Sequence, residues 1–250
     1  MTLGKSLRLR RIFANGRALI VDCDPCVEDS LGKVRLLART GVDAIILTPG
    51  LLELVAEELA ALSVILRIDG GIHRAQQLVS VQAAMELGAE AVSVSIAIGG
   101  PGPTEALERF GRITEDARRV GMPVFAEIIG EDWLEVARLG ADYGADVIQA
   151  CFVPNTPSYR SFTRITGRPF LARLDEFELA PLELLALVHE AIEGAAQGLV
   201  LGQGVLAQPG GAALIRAVHG LVHQGISVEE ALDTATGQLP GLRSQELEEI

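Results

Sequence analysis

The sequence predicts an α/β protein, a single (β/α)₈ barrel, on three observations. The chain has 250 residues, close to the roughly 250 of one such barrel. Short apolar runs alternate with amphipathic stretches eight times along it. Gly-Ala-Asp and Gly-Ala-Glu turns join the two kinds of segment, as expected of βα units around a parallel sheet. An open doubly wound sheet is the alternative reading of the same alternation.

The elements follow in order. Residues 18–21, 44–47, 64–68, 91–96, 124–128, 147–148, 170–172 and 199–201 are predominantly apolar runs, which predicts strands covered on both faces. Helical periodicity fills 32–39, 52–62, 76–87, 104–120, 133–143 and 182–193. The chain lacks linkers and low-complexity segments, so one domain spans 1–250. Within it, 1–16 is expected to cover the barrel bottom, and 227–250 to form a C-terminal helix and tail. Ser227, with Glu230 three residues on, reads as a capping box.

Composition narrows the partners. The hydrophobic fraction is 49% with only 4% aromatics, so the core is built from Ala, Val, Leu and Ile. The net charge of −12 repels phosphate backbones and anionic lipid, which argues against nucleic-acid and membrane partners. Residues 1–13 carry basic side chains without a following signal-type apolar segment, so the expected location is cytoplasmic. The three cysteines, Cys23, Cys26 and Cys151, are too sparse for a disulfide framework. Lys5 and Lys33 are the lysines of the whole sequence.

Barrel chemistry sits at the C-terminal strand ends. Those ends offer Asp22, Asp24, Thr48, Asp69, His73, Ser93, Ser95, Glu127, Gln149, Cys151, Arg173, Asp175 and Gln203. Asp24, Asp69 and Glu127 are candidates for acid–base work, since neighbouring carboxylates push one another's pKa apart; the plain alternative is solvated acids, or acids paired with Arg67, Arg74 or Arg173. Asp24, Asp69, His73 and Glu127 also form a candidate divalent-metal set. Cys23-Asp-Pro-Cys26 reads as buried thiols better than as a redox or zinc motif. His219 and His223 share a helical face, where solvation or a subunit contact is expected, as also for His189. Asn155, Ser158, Tyr159 and Arg160 follow the sixth strand as further substrate contacts.

Several segments, taken together, resemble a known family. They are Leu-Arg-Leu-Arg-Arg-Ile-Phe at 7–13, the first strand ending in Asp22-Cys-Asp24, Leu87-Gly-Ala-Glu-Ala-Val-Ser-Val-Ser95 with Gly99-Gly100, Gly144-Ala-Asp-Val-Ile148, Val200-Leu-Gly-Gln-Gly204, and 221–232. In order and spacing they resemble the DeoC/LacD-type class I aldolases, in particular the archaeal-type fructose-bisphosphate aldolase and autoinducer-2 thiolase branch. The resemblance implies a ring-shaped homo-oligomer and a Schiff-base lysine on the sixth strand. Gln149 stands at that position, and an amide forms no imine. The family's tyrosine is matched by Ile129, its second-strand lysine by Pro49, its phosphate-binding Gly-Gly by Leu174-Asp175, and its arginine after the eighth strand by Gln203. Asp24 matches the family's acidic residue.

The expected function is therefore an aldolase-like lyase or isomerase acting on a small carbonyl compound without an imine. Asp24, Glu127 and Asp69 would supply acid–base groups, and Gln149 a hydrogen bond to the substrate oxygen. Ser95, Arg173, Gly202, Gln203 and Gly204 would bind substrate, the glycine-rich loop offering free N–H donors. No cofactor is expected, with a divalent metal as the alternative electron sink. The competing reading is a catalytically inactive aldolase homologue serving as a metabolite-binding or assembly subunit.

Overall fold

The computed structural model describes residues 2–13, 16–24, 29–70, 76–97, 103–129, 133–154, 158–175, 179–202 and 204–237. In chain order the elements are α1 (Leu3–Ile12), β1 (Ala18–Asp22), α2 (Ser30–Leu37), β2 (Ala44–Leu47), α3 (Pro49–Val55), β3 (Ser63–Arg67), α4 (Val81–Glu86), β4 (Ala91–Ala97), α5 (Pro103–Val120) and β5 (Val124–Ile129). There follow α6 (Trp133–Asp142), β6 (Val147–Cys151), α7 (Ser158–Thr166), β7 (Phe170–Leu174), α8 (Pro181–Glu193), β8 (Gly198–Gly202), α9 (Gly204–Ala207), α10 (Gly211–His219) and α11 (Val228–Thr236). The eight strands are parallel and close in sequence order, β1 pairing with both β2 and β8. The predicted barrel is thus the observed one.

Alternation along each strand divides the core in two. Leu19, Val21, Val92, Val94 and Leu201 face outward and pack with the helices. Ala18, Ile20, Ile46, Ile65, Phe125, Leu171 and Val200 face the barrel interior. Following the strand register around the ring sorts the inward residues into layers of four from alternate strands. Ile20, Ile65, Phe125 and Leu171 form one layer, from β1, β3, β5 and β7. Ile46, Ser93, Gln149 and Val200 form the next, from the even strands. Above it lies a charged layer from the odd strands again: Asp22, Arg67, Glu127 and Arg173.

At the opposite, N-terminal end, α1 packs Ile12 against the interior cluster, and Phe13 stacks on Phe125 with ring centroids 6.4 Å apart. Lys5 Nζ holds Asp146 Oδ2 at 2.6 Å with both groups buried, tying α1 to the turn before β6. The C-terminal helix α11 begins at the Ser227–Glu230 capping box: Ser227 N–H donates to Glu230 Oε2 at 2.8 Å, and Glu230 N–H donates to Ser227 Oγ at 3.2 Å.

Several expectations change. The helix expected over 76–87 begins only at Val81, because Ser80 caps it and the N–H groups of Leu78 and Val79 are engaged by Ile68 O. Ser158, Tyr159 and Arg160, expected in a substrate loop, open helix α7, and Arg160 Nη2 donates to Glu193 O at the end of α8. His223 is not solvated: its buried ring meets Asp43 Oδ2 at 2.9 Å, and His219 lies against it at 4.9 Å between centroids. The tail beyond residue 237 lies outside the described residues.

Candidate active site

The charged layer is a closed square. Arg67 reaches Asp22 at 2.7 Å and Glu127 at 2.6 Å; Arg173 reaches Asp22 at 2.9 Å and Glu127 at 3.4 Å. Acids from β1 and β5 thus face each other across the barrel, and arginines from β3 and β7 do likewise. All four side chains are at most 7% exposed. Charges so removed from water persist only when paired, and here each cation touches both anions.

The next odd-strand positions form a rim of Asp24, Asp69, Ile129 and Asp175. Asp24 Oδ2 lies 3.0 Å from Arg67 Nε and stays 26% exposed. Asp175 takes both nitrogens of one edge of the Arg173 guanidinium, Nε and Nη2, each at 3.0 Å. Asp69 Oδ2 accepts the Ser95 N–H at 2.6 Å. Between square and rim, Ser95 Oγ donates to Glu127 at 3.2 Å, and Cys151 is an exposed thiol at the end of β6. Arg109, on α5, donates to Ser95 O at 2.8 Å and is an electrostatic neighbour of Asp69.

The electrostatics separate the two most promising acids. Burial alone would raise Glu127, but Arg173 and Arg67 beside it, with hydrogen bonds from Arg67 and Ser95, hold it below the ordinary carboxylate value. Asp24 moves the other way: burial raises it, and Asp22 and Glu127 add to that, against the opposing pull of Arg67. Asp24 therefore has the affinity and the exposure for proton exchange, whereas Glu127 is a fixed anion. The Cys23 thiol points into the outer shell, where burial pushes it up to about 12, so it is inert near neutrality.

Gln149 is fully buried in the layer beneath the square, and its Nε2 donates to Ser93 Oγ at 3.0 Å. That amide N–H, assigned above to a substrate oxygen, is engaged within the barrel. Its Oε1 has no hydrogen-bond partner among the described residues. Lys5 lies at the opposite end, and Lys33 lines a small cavity outside the ring with Cys23, Val34 and Leu51. Among the described residues no three His, Cys, Asp or Glu side chains group to hold a metal. Of the metal set expected from the sequence, Asp24 and Glu127 are held by Arg67, and His73 lies outside the described residues, as do Cys26, Asn155 and Gln203. Gly202 ends β8, and Gly204 opens the single turn of α9.

Sequence reasoning gave Arg67 only as a partner for acids and missed Arg109. The signal for Arg67 was its place in the inward series Ser63, Ile65, Arg67, level with Asp22 and Glu127.

The sequence model of the DeoC/LacD family aldolases matches residues 10–168. The chain belongs to this family. A relative, 2-amino-3,7-dideoxy-D-threo-hept-6-ulosonate synthase 1 of Archaeoglobus fulgidus, is 27% identical over 252 residues, covering 92% of this chain and 95% of its own. Among solved structures, a fructose-bisphosphate aldolase from Slackia heliotrinireducens superposes with TM-score 0.81 at 15% identity, covering 96% of this chain and 92% of that one. A Schiff-base-forming fructose-1,6-bisphosphate aldolase superposes with TM-score 0.75 at 22% identity, covering 88% and 100%. At such identities these two structural likenesses speak for the barrel alone.

Proposed function

We propose that this aldolase-family barrel is a lyase or isomerase for a small carbonyl compound and works without a Schiff base, with Asp24 as its proton-transfer group. The observation that carries this reading is the pairing of a partly exposed, raised-pKa carboxylate with a buried guanidinium, Asp24 with Arg67, directly above the layer that holds the buried Gln149. In an isomerisation, Asp24 removes the proton from the carbon beside the carbonyl. The electron pair moves to the carbonyl oxygen, and the enolate is held by guanidinium N–H groups. Asp24 then returns the proton to the neighbouring carbon. In an aldol cleavage, Asp24 takes the hydroxyl proton while the carbon–carbon bond breaks toward the same enolate. A guanidinium so takes the part that a protonated imine would otherwise play.

The test is proton–deuterium exchange at the α-carbon of hydroxyacetone, dihydroxyacetone and pyruvate, followed by NMR. Asp24→Asn is expected to lower exchange by about 10²-fold or more, with the melting temperature retained. The acid limb of the wild-type profile should lie above the roughly 4 of an ordinary aspartate. Borohydride in the presence of the same compounds should leave no adduct on residues 147–151. An adduct there, or exchange indifferent to Asp24→Asn, overturns the proposal. The self-satisfied square favours a second reading, an inactive homologue that binds a metabolite or serves assembly. Binding without exchange across the panel is the outcome that supports it.

A further inference from the structure

We propose that Asp175 sets the charge of the substrate: it occupies Arg173 as an internal anion, so that the mouth admits an uncharged carbonyl compound and turns away phosphorylated and carboxylated ones. This deepens the reading above, since it concerns what the same site takes.

A planar guanidinium offers paired N–H edges that match a carboxylate or a phosphate two bonds at a time. On Arg173 the Nε and Nη2 edge is filled by the two oxygens of Asp175, at 3.0 Å each. Nη2 also donates to Asp22. Arg67 donates to Asp22 and Glu127 and is ion-paired through Nε with Asp24, though that nitrogen makes no hydrogen bond among the described residues. Four carboxylates thus surround two guanidiniums. When all are ionised the mouth carries two surplus negative charges, with Arg109 set against Asp69. An incoming anion would have to displace Asp175 and then sit among those acids, both unfavourable at such short range.

What the site leaves open suits a neutral acceptor. Arg173 Nη1 is buried and donates no hydrogen bond among the described residues, its contact to Glu127 being a long ion pair of 3.4 Å. A carbonyl or hydroxyl oxygen can accept from that nitrogen without adding charge, and so satisfies a buried donor that is otherwise costly. Asp175 itself is 35% exposed, so it stands at the entrance, where the choice between ligands is made.

Equilibrium binding tests this independently of turnover. Inorganic phosphate and pyruvate are titrated into the wild type, Asp175→Asn and Asp175→Asn/Arg173→Gln, and followed calorimetrically. Asp175→Asn should bind both anions at least tenfold more tightly than the wild type, and the second substitution should abolish the gain. Equal anion affinity in wild type and Asp175→Asn overturns the proposal, as does a gain that survives Arg173→Gln. A measurement on the wild type alone guards against a variant that fails to fold. Dihydroxyacetone should raise its melting temperature and dihydroxyacetone phosphate should not; the reverse order counts against Asp175 as the selector. A gain of anion binding in Asp175→Asn together with no α-proton exchange in the wild type would uphold the charge selection while removing the proposed chemistry.

Discussion

Each corner of the Asp22–Arg67–Glu127–Arg173 square is a buried ion whose two neighbours are both counter-ions. Removing one corner deletes two contacts and leaves the remaining charges buried without full compensation, which is the expensive part. Arg67→Met is therefore expected to cost about 3–5 kcal/mol, read from the urea midpoint at constant slope. Adding Glu127→Leu to it removes one charge of each sign and leaves the Asp22–Arg173 pair. The double variant should then lose less than the sum of the two singles, because the residues share partners. A single-variant loss within about 0.5 kcal/mol, the range of ordinary surface changes, would contradict the burial and pairing described. The same residues explain why the site was only partly legible in the sequence. A lone arginine closing an apolar run, as in Ser63-Val-Ile-Leu-Arg67, looks like a solvated strand end. Its burial depends on three carboxylates, Asp22 of β1, Asp24 just beyond it and Glu127 of β5, which local sequence does not bring together.

At the scale of elements, legibility followed how local the determining contacts are. The strands were readable because apolar side chains on both faces answer to the helices outside and the layers inside. The α11 start was readable because a capping box is a contact between residues three apart. Ser227→Ala leaves the N–H of Glu230 without that acceptor and should cost about 1 kcal/mol. Since α11 packs on α10 and α8, the loss should appear in the global melt as well as in the protection of the α11 amides from exchange. A change confined to helix fraying would mean that α11 folds apart from the barrel. By contrast, α7 escaped detection. Its apolar series is only Tyr159, Phe162 and Ile165, too short beside the polar residues around it to stand out from a loop. The start of α4 was misjudged because Leu78 and Val79 extend the apolar pattern, and Ser80 ends it by capping.

For the whole molecule, the net charge of −12 sets an acid response in which the square takes a definite part. Glu127 is held below its ordinary pKa by Arg173 and Arg67, so the native state favours its ionised form. A carboxyl depressed on folding contributes stability that is fully present above its unfolded value, about 4.3, and is lost as pH falls through the folded value. Below that, the protonated carboxyl leaves two buried guanidiniums facing Asp22 alone inside the square, and the ring of strands loses its charge-balanced layer. Glu127→Gln imposes the neutral side chain at every pH. Its stability should therefore lie well below the wild type at pH 7, and the gap should close as pH falls below about 4.3, whatever the remaining acids do in both proteins. Urea melts of the two proteins at a series of pH values between 7 and 3 measure that gap. Parallel curves across the whole range would mean that Glu127 draws nothing from its ionisation, and that the square is held by packing instead of charge.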